Sequence, residues 1–140
     1  DNAIHEQLLL LERLFKEADI EAFLSGSIST IIWEKFIFIS PTATATSYFD
    51  RSIGEILTDK EKLKTVGSLI EEVKQVAKAK GIIVSEDITK ITLNKLKALP
   101  FETTSSMHAD FKNNKPNNEL KSLTSYVVRE GQKYNLEMPT

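Results

Sequence analysis

Residues 31–40 read IIWEKFIFIS, and this stretch decides the fold class of the chain. Eight of its ten residues are types that suit a protein core, and the apolar character extends over residues 28–48 with Pro41 inside. The pattern predicts a long helix with a kink at Pro41, because proline lacks a backbone N–H and its ring clashes with the preceding turn. Glu34 and Lys35 interrupt the run, and a lysine in such surroundings needs an explanation.

Lys35 has two interpretations. On a helix it shares a face with Phe38, Ile39, Thr42 and Thr46, so that a side chain at the edge of this face could extend its ammonium to water. Alternatively, the ammonium is partly desolvated, which would lower its pKa and make it a competent proton donor. The residues themselves leave both interpretations open.

Outward from this stretch, hydrophobic periodicity predicts helices over residues 4–17, 58–80, 85–99, 104–113 and 118–134. Thr58 and Glu61 have the spacing of a capping box at the start of the second of these helices, and Gly81 is suited to end it. Residues 20–24, IEAFL, instead predict a strand. A single strand leaves its backbone groups unpaired, so this one requires a sheet that the chain does not supply.

Bulk properties exclude several classes of function. The 140 residues fit one domain of ordinary size, and the net charge of −2 with interspersed acids and bases gives no reason to expect nucleic acid or membrane partners. No run reaches the roughly 18 apolar residues of a membrane span. The chain has no cysteine, which excludes disulfides and thiolate metal sites and suits a cytoplasmic location. It also lacks an initiator methionine, so we expect a piece of a longer protein.

The polar candidates are ambiguous when each is taken singly. Ser105 and Ser106 could cap a helix, and Glu119 could stabilise the first turn of another. His5 and His108 have no partner at metal-ligand spacing, so we expect surface histidines and no metal site. The isolated glycines never form the phosphate-binding pattern G-x-G-x-x-G, so any cofactor site within this chain is incomplete.

Several motifs in order resemble a known family. They are IWEKF at 32–36, IGEI at 53–56, SSMHADF at 105–111, KPNNEL at 115–120 and SYVVREGQKYNLEMP behind it. Together they are similar to the C-terminal domain of ketopantoate reductase, that is, 2-dehydropantoate 2-reductase. The resemblance runs from about residue 8 to the end, and it implies a mainly α, helical domain of the 6-phosphogluconate-dehydrogenase-like type.

The resemblance implies a division of the chain and roles for three residues. Residues 1–25 would be the helix–strand end of an N-terminal Rossmann domain that binds NADPH, and residues 26–140 the helical substrate-binding domain. Lys35 would protonate the carbonyl oxygen of a 2-oxo acid as hydride arrives from the nicotinamide. Glu119 would hold a substrate hydroxyl, and Ser106 the substrate carboxylate. Because the dinucleotide site lies elsewhere, the fragment alone is expected to be inactive.

The chain also departs from the family pattern. Ile39, Ala43 and Thr103 stand where typical members of the family carry asparagines. Losing these amides predicts weaker binding of the usual substrate. A reductase for another, less polar oxo acid therefore stays open as an alternative. So does a non-catalytic helical dimerisation module, because the stripes at 63–77 and 120–134 could pack between two subunits as well as within one.

Overall fold

The computed structural model describes residues 6–140, and every regular element in that range is helical. The helices are α1 (Glu6–Glu17), α2 (Ile28–Phe49), α3 (Ile53–Thr58), α4 (Lys60–Ala79), α5 (Ile88–Lys97), α6 (Ser106–Lys112) and α7 (Thr124–Lys133). A short 3₁₀ helix, Glu119–Lys121, precedes α7. The predicted mainly α fold class is confirmed.

The core forms around α4, which packs against α2, α3, α5 and α7. The apolar stripe predicted on this helix faces inward, and its fully buried members are Val66, Ile70, Val73, Val76 and Ala77. The cluster is completed by residues from the surrounding helices: Ile37, Ala45, Ile53, Ile56, Ile88, Leu96 and Val127. Because the stripe at 63–77 packs within the chain, it is not available as the interface of a dimerisation module.

Helix α2 runs through Pro41 without interruption, although its fully buried side chains begin only at Ile37. Ile37 is fully buried, whereas Ile31 and Ile32 are exposed in the first half. Trp33, which the sequence places in the core, is half-buried and packs edge-on against Phe36. The apolar stretch that predicts the fold is thus only partly covered by the residues that follow it.

The helix caps differ from the prediction at Thr58. Asp59, not Thr58, caps α4, and its side chain accepts hydrogen bonds from the N–H groups of Glu61 and Lys62. A capping box is present one element earlier, where Ser52 and Glu55 satisfy each other's backbone N–H groups at the start of α3. Gly81, with a φ of 74°, ends α4 in the left-handed conformation as predicted.

Two predicted elements are wrong. Residues 20–24 form no strand, since no other strand within residues 6–140 offers them a hydrogen-bonding partner. The helix predicted over 118–134 is divided, because Leu123 adopts φ −102° and ψ −89°, which lies outside the helical region. This break separates the 3₁₀ helix from α7.

The N-terminal part of the described chain is poorly covered. Helix α1 buries none of its side chains. Six apolar residues of this helix are exposed: Leu8, Leu9, Leu10, Leu11, Leu14 and Phe15. None of the helices within residues 6–140 combines the length and apolar character needed to cross a bilayer.

Candidate active site

Two of the three residues implied by the resemblance meet in the structure. Ser106 is the first residue of α6 and Glu119 is the first residue of the 3₁₀ helix. The Oγ atom of Ser106 donates a hydrogen bond of 2.8 Å to Oε2 of Glu119 across 13 residues of sequence. Both side chains are exposed, so a hydroxyl and a carboxylate are presented together at the surface.

The neighbouring Ser105 is the N-cap of α6, a role that the sequence allowed for either serine. Its Oγ accepts a hydrogen bond from the N–H of His108 and thereby caps α6. The same oxygen lies 2.8 Å from Oγ1 of Thr46 on α2. Thr46 donates its only hydroxyl proton to the carbonyl of Thr42, so Ser105 is the donor to Thr46. Because Ser105 provides the cap, the side chain of Ser106 is left for other contacts.

Lys35 lies in the first half of α2 and is exposed. Its Nζ atom takes part in no ion pair within the described part of the chain. The expectation that apolar neighbours desolvate this ammonium is therefore not met by residues 6–140 themselves. Within residues 6–140 no ion pair joins Lys35 to Glu119, whose carboxylate instead accepts from Ser106, so a molecule bound by all three would bridge the lysine and the Ser106–Glu119 pair.

One stripe along α2 leads from Lys35 to the point where α6, which begins with Ser106, packs against this helix. Lys35, Ile39 and Ala43 occupy successive turns of one stripe on α2, and eight residues of helix correspond to about 12 Å. Ala43 is buried against Met107, the residue that follows Ser106. Ile39 is 36% exposed, so it presents apolar surface one helical turn from Lys35 and one turn from Ala43.

The segment before α6 is fixed by α3. The N–H groups of Ile53 and Gly54 donate hydrogen bonds to the carbonyl oxygens of Thr103 and Phe101, at 2.8 and 2.9 Å. Thr103, one of the positions where the family pattern has asparagine, thus contributes its backbone to a structural contact. The IGEI motif acts at this point, because its first two residues position the chain that leads into Ser105 and Ser106.

The sequence-based expectation for His108 is wrong, because this residue is 5% exposed and is not on the surface. Its Nε2 donates a hydrogen bond of 2.7 Å to Oδ1 of Asp50, at the end of α2. That hydrogen bond, aided by the charge of Lys112, holds the pKa of the Asp50 carboxyl below its usual value. Sequence reasoning missed the pair because 58 residues separate its members. His5 lies outside the described residues.

A large pocket of the described chain does not include the predicted site residues. A pocket of about 630 Å³ lies between α2, α4 and the last residues, with Tyr48, Lys64 and Thr140 in its lining. None of Lys35, Ser106 and Glu119 lines it. Within residues 6–140, no group of histidine, aspartate and glutamate side chains has the arrangement of a metal site.

The chain matches known proteins over most of its length. The family model described as "Ketopantoate reductase PanE/ApbA C terminal" matches residues 27–140. The uncharacterized oxidoreductase YkpB of Bacillus subtilis (strain 168) is 26% identical over 134 residues, which are 96% of this chain and 44% of that protein.

Two solved structures share the fold. A 2-dehydropantoate 2-reductase from Porphyromonas gingivalis W83 is 32% identical with a TM-score of 0.77, and the match covers 99% of this chain and 40% of that one. A dimeric ketopantoate reductase from Staphylococcus aureus has a TM-score of 0.86 at 20% identity, over 97% of this chain and 47% of that one. This chain spans less than half the length of each of these relatives. By the extent of the family match, the chain belongs to the ketopantoate reductase family and carries its C-terminal domain.

Proposed function

We propose that this chain is the substrate-binding part of an NADPH-dependent reductase of 2-oxo acids, with ketopantoate as its substrate. Lys35 serves as the proton donor, Ser106 binds the substrate carboxylate, and Glu119 holds the substrate hydroxyl. The observation that carries the proposal is the hydrogen bond between Ser106 and Glu119, which joins two of these three residues at one exposed place. The 2-oxo acid would then lie on Ile39, with its carbonyl toward Lys35.

The Ser106–Glu119 hydrogen bond favours a substrate that carries a hydroxyl. A serine has one hydroxyl proton, and Ser106 gives it to Glu119 in the absence of substrate. To bind a carboxylate, Ser106 must redirect that proton, which leaves Glu119 without its donor. The hydroxyl of ketopantoate replaces the lost donor, so the total number of hydrogen bonds is preserved. An oxo acid without a hydroxyl offers no such replacement.

The exposure of Lys35 fits a site that another domain covers. Ile31 and Ile32 in the first half of α2, and Ile39 near its middle, are each at least 36% exposed. A domain placed over these isoleucines would bury them and reduce the hydration of the ammonium. In such surroundings the positive charge of Lys35 stabilises the negative charge that develops on the carbonyl oxygen, and the ammonium then supplies the proton.

The dinucleotide is not expected to bind to this chain alone. Its glycines at 26, 54, 67, 81 and 131 stand apart, and no strand within residues 6–140 leads into a glycine-rich turn. We place the NADPH site on the preceding domain, of which residues 1–25 would form the end. The cofactor supplies the hydride when it is bound, whereas the residues of this chain bind the oxo acid and donate the proton.

Substitution of Lys35 tests the catalytic role. In the full-length protein, Lys35→Ala is expected to lower the turnover of ketopantoate by several orders of magnitude, because the developing oxyanion loses both its charge partner and its proton donor. Lys97→Ala, at an exposed lysine at the end of α5, is the matched control and is expected to leave turnover unchanged. Unchanged turnover in Lys35→Ala would remove Lys35 from the mechanism. Residues 1–140 alone are expected to oxidise no NADPH.

A second candidate is a paralogous reductase for a less polar oxo acid, and the apolar surface of Ile39 favours it. Ketopantoate and 3,3-dimethyl-2-oxobutanoate separate the two candidates, because these acids differ only in the hydroxyl. We expect ketopantoate to have the higher kcat/KM, on the order of tenfold, and Glu119→Ala to remove this preference. A higher kcat/KM for the compound without the hydroxyl would instead support the paralogue.

The assembly and the location of the full-length protein are further expectations. We expect a homodimer, because the S. aureus ketopantoate reductase that shares this fold is dimeric, and sedimentation equilibrium measures the oligomeric state directly. A cytoplasmic location stays a prediction from the absence of cysteine.

A further inference from the structure

We propose that Asp50 and His108 are positioning residues, which hold α6 against the end of α2 and so place Ser106 for substrate binding. This inference rests on the proposed function in that Ser106 is taken as a substrate contact. It goes beyond that function by assigning a role to a side-chain pair that binds no substrate. The supporting observation is the hydrogen bond between His108 on α6 and Asp50 at the end of α2, because it joins the two helices that carry Ser106 and Lys35.

Helix α6 depends on α2 for its position. It has only seven residues, is followed by the exposed loop at 113–117, and packs mainly against α2. Four contacts tie it there: Met107 buried beside Ala43, the Ser105–Thr46 hydrogen bond, the His108–Asp50 hydrogen bond and the Lys112–Asp50 ion pair. His108 is two residues from Ser106, so a displacement of its ring moves the hydroxyl that faces Glu119.

The backbone conformation of Asp50 is one that aspartate adopts only at a cost. Asp50 ends α2 with φ 49° and ψ 50°, the left-handed conformation in which glycine is usually found at helix ends. An aspartate there has an unfavourable backbone conformation, and its negative charge is also disfavoured at the C-terminal end of a helix. The contacts of the Asp50 carboxylate must therefore offset both the backbone cost and the cost of the charge at the helix end.

The contacts of the carboxylate lead to α6. Oδ1 of Asp50 accepts the hydrogen bond from Nε2 of His108 at 2.7 Å and lies 3.6 Å from Nζ of Lys112. Both partners belong to α6, so the compensation for Asp50 comes from the helix that carries Ser106. The ring of His108 is buried while Asp50 is 61% exposed, so the buried member determines where the exposed carboxylate can lie.

Replacement of Asp50 separates an effect on the position of Ser106 from an effect on the stability of the protein. In the full-length protein, Asp50→Gly removes the carboxylate and relieves both the left-handed backbone and the helix-end charge, so the melting temperature should change little. Because α6 loses two of its four contacts with α2, we expect KM for ketopantoate to rise on the order of tenfold with kcat within about twofold. Asp50→Asn keeps an acceptor for His108 and should restore KM.

The matched control is Glu130→Gln, which weakens an ion pair between α7 and Lys80 at the end of α4. This variant should leave KM unchanged. A KM that stays at the wild-type value in Asp50→Gly, while Lys35→Ala abolishes turnover, would overturn the positioning role and leave the proposed function intact. A rise in KM in Glu130→Gln equal to that in Asp50→Gly would also overturn it, since the effect would then be one of general stability.

Hydrogen–deuterium exchange gives a readout that needs no substrate. In Asp50→Gly we expect faster exchange in residues 106–112 and unchanged exchange in the middle of α4. If the wild-type protein reduces no 2-oxo acid, the proposed function fails, and exchange still decides whether the pair holds α6. Unchanged exchange in residues 106–112 would refute the inference independently of any activity.

Discussion

Replacement of Gly54 by alanine tests how α3 positions the segment that leads to the site. Gly54 is the second residue of α3, and its N–H donates a hydrogen bond of 2.9 Å to the carbonyl oxygen of Phe101. A Cβ atom at this position would lie 2.3 Å from Cδ2 and 2.6 Å from the carbonyl oxygen of Phe101. The ring is 52% exposed and can turn away, but the carbonyl oxygen is part of the hydrogen bond. The backbone at Phe101 must therefore move.

The size of the effect follows from three terms. Loss of the hydrogen bond costs about 0.5–1.5 kcal/mol, and forcing extra atoms into a packed contact costs about 1–3 kcal/mol. Alanine in a helix regains about 0.5–1 kcal/mol relative to glycine. We therefore expect Gly54→Ala to lower the free energy of unfolding by about 0.5–4 kcal/mol, measured by urea unfolding with far-UV circular dichroism.

Gly67 provides a matched control for the same chemical change. It lies within α4, and a Cβ atom there would meet no heavy atom within 4 Å. Gly67→Ala should raise the free energy of unfolding by about 0.5–1 kcal/mol through its helix propensity. The two variants should thus shift stability in opposite directions. A Gly54→Ala protein as stable as the Gly67→Ala protein would show that the contact with Phe101 does not constrain this helix.

Two further predictions concern stability. Ser52→Ala should lower the free energy of unfolding by about 1 kcal/mol, because it removes the capping box of α3. Thr58→Ala should have a smaller effect. Equal losses of stability in the two variants, measured by thermal unfolding, would contradict the assignment of the cap to Ser52. Hydrogen bonds from Lys133 and Lys80 lower the pKa of Glu130, so its stabilisation is present above the ordinary glutamate pKa and is lost as pH falls toward the lowered one. Glu130→Gln should accordingly flatten the fall of the urea midpoint in acid, and a slope equal to that of the wild type would argue against the linkage.

The helices that depend on local patterns were predictable from the sequence. The spacing of apolar residues in 63–77 encodes which face of α4 is buried, because a helix brings residues three and four apart onto one face. The caps were less certain, since Ser52 and Thr58 are each followed three residues later by glutamate. In the structure Ser52 forms the capping box, at the start of α3. Thr58 does not, because the side chain of Asp59 accepts from the backbone N–H groups at the start of α4.

The site was predictable only in part. Residue patterns left Ser106 and Glu119 as ordinary helix-terminal residues, and only the resemblance to a family singled them out. Their hydrogen bond forms across a loop whose course the sequence does not determine. The pairing of His108 with Asp50 is equally non-local, although one signal was present: an aspartate follows a long apolar helix where glycine would be expected.

Helix α1 bears on how this polypeptide can be handled in the laboratory. Its six exposed leucine and phenylalanine side chains are expected to favour self-association at the concentrations used for crystallisation or NMR. A shortened version starting at Ser27 keeps the carbonyl that accepts the first hydrogen bond of α2, and among residues 6–26 it removes no buried side chain. Such a version should remain monodisperse at higher concentration, and light scattering on the two lengths side by side would reveal the difference.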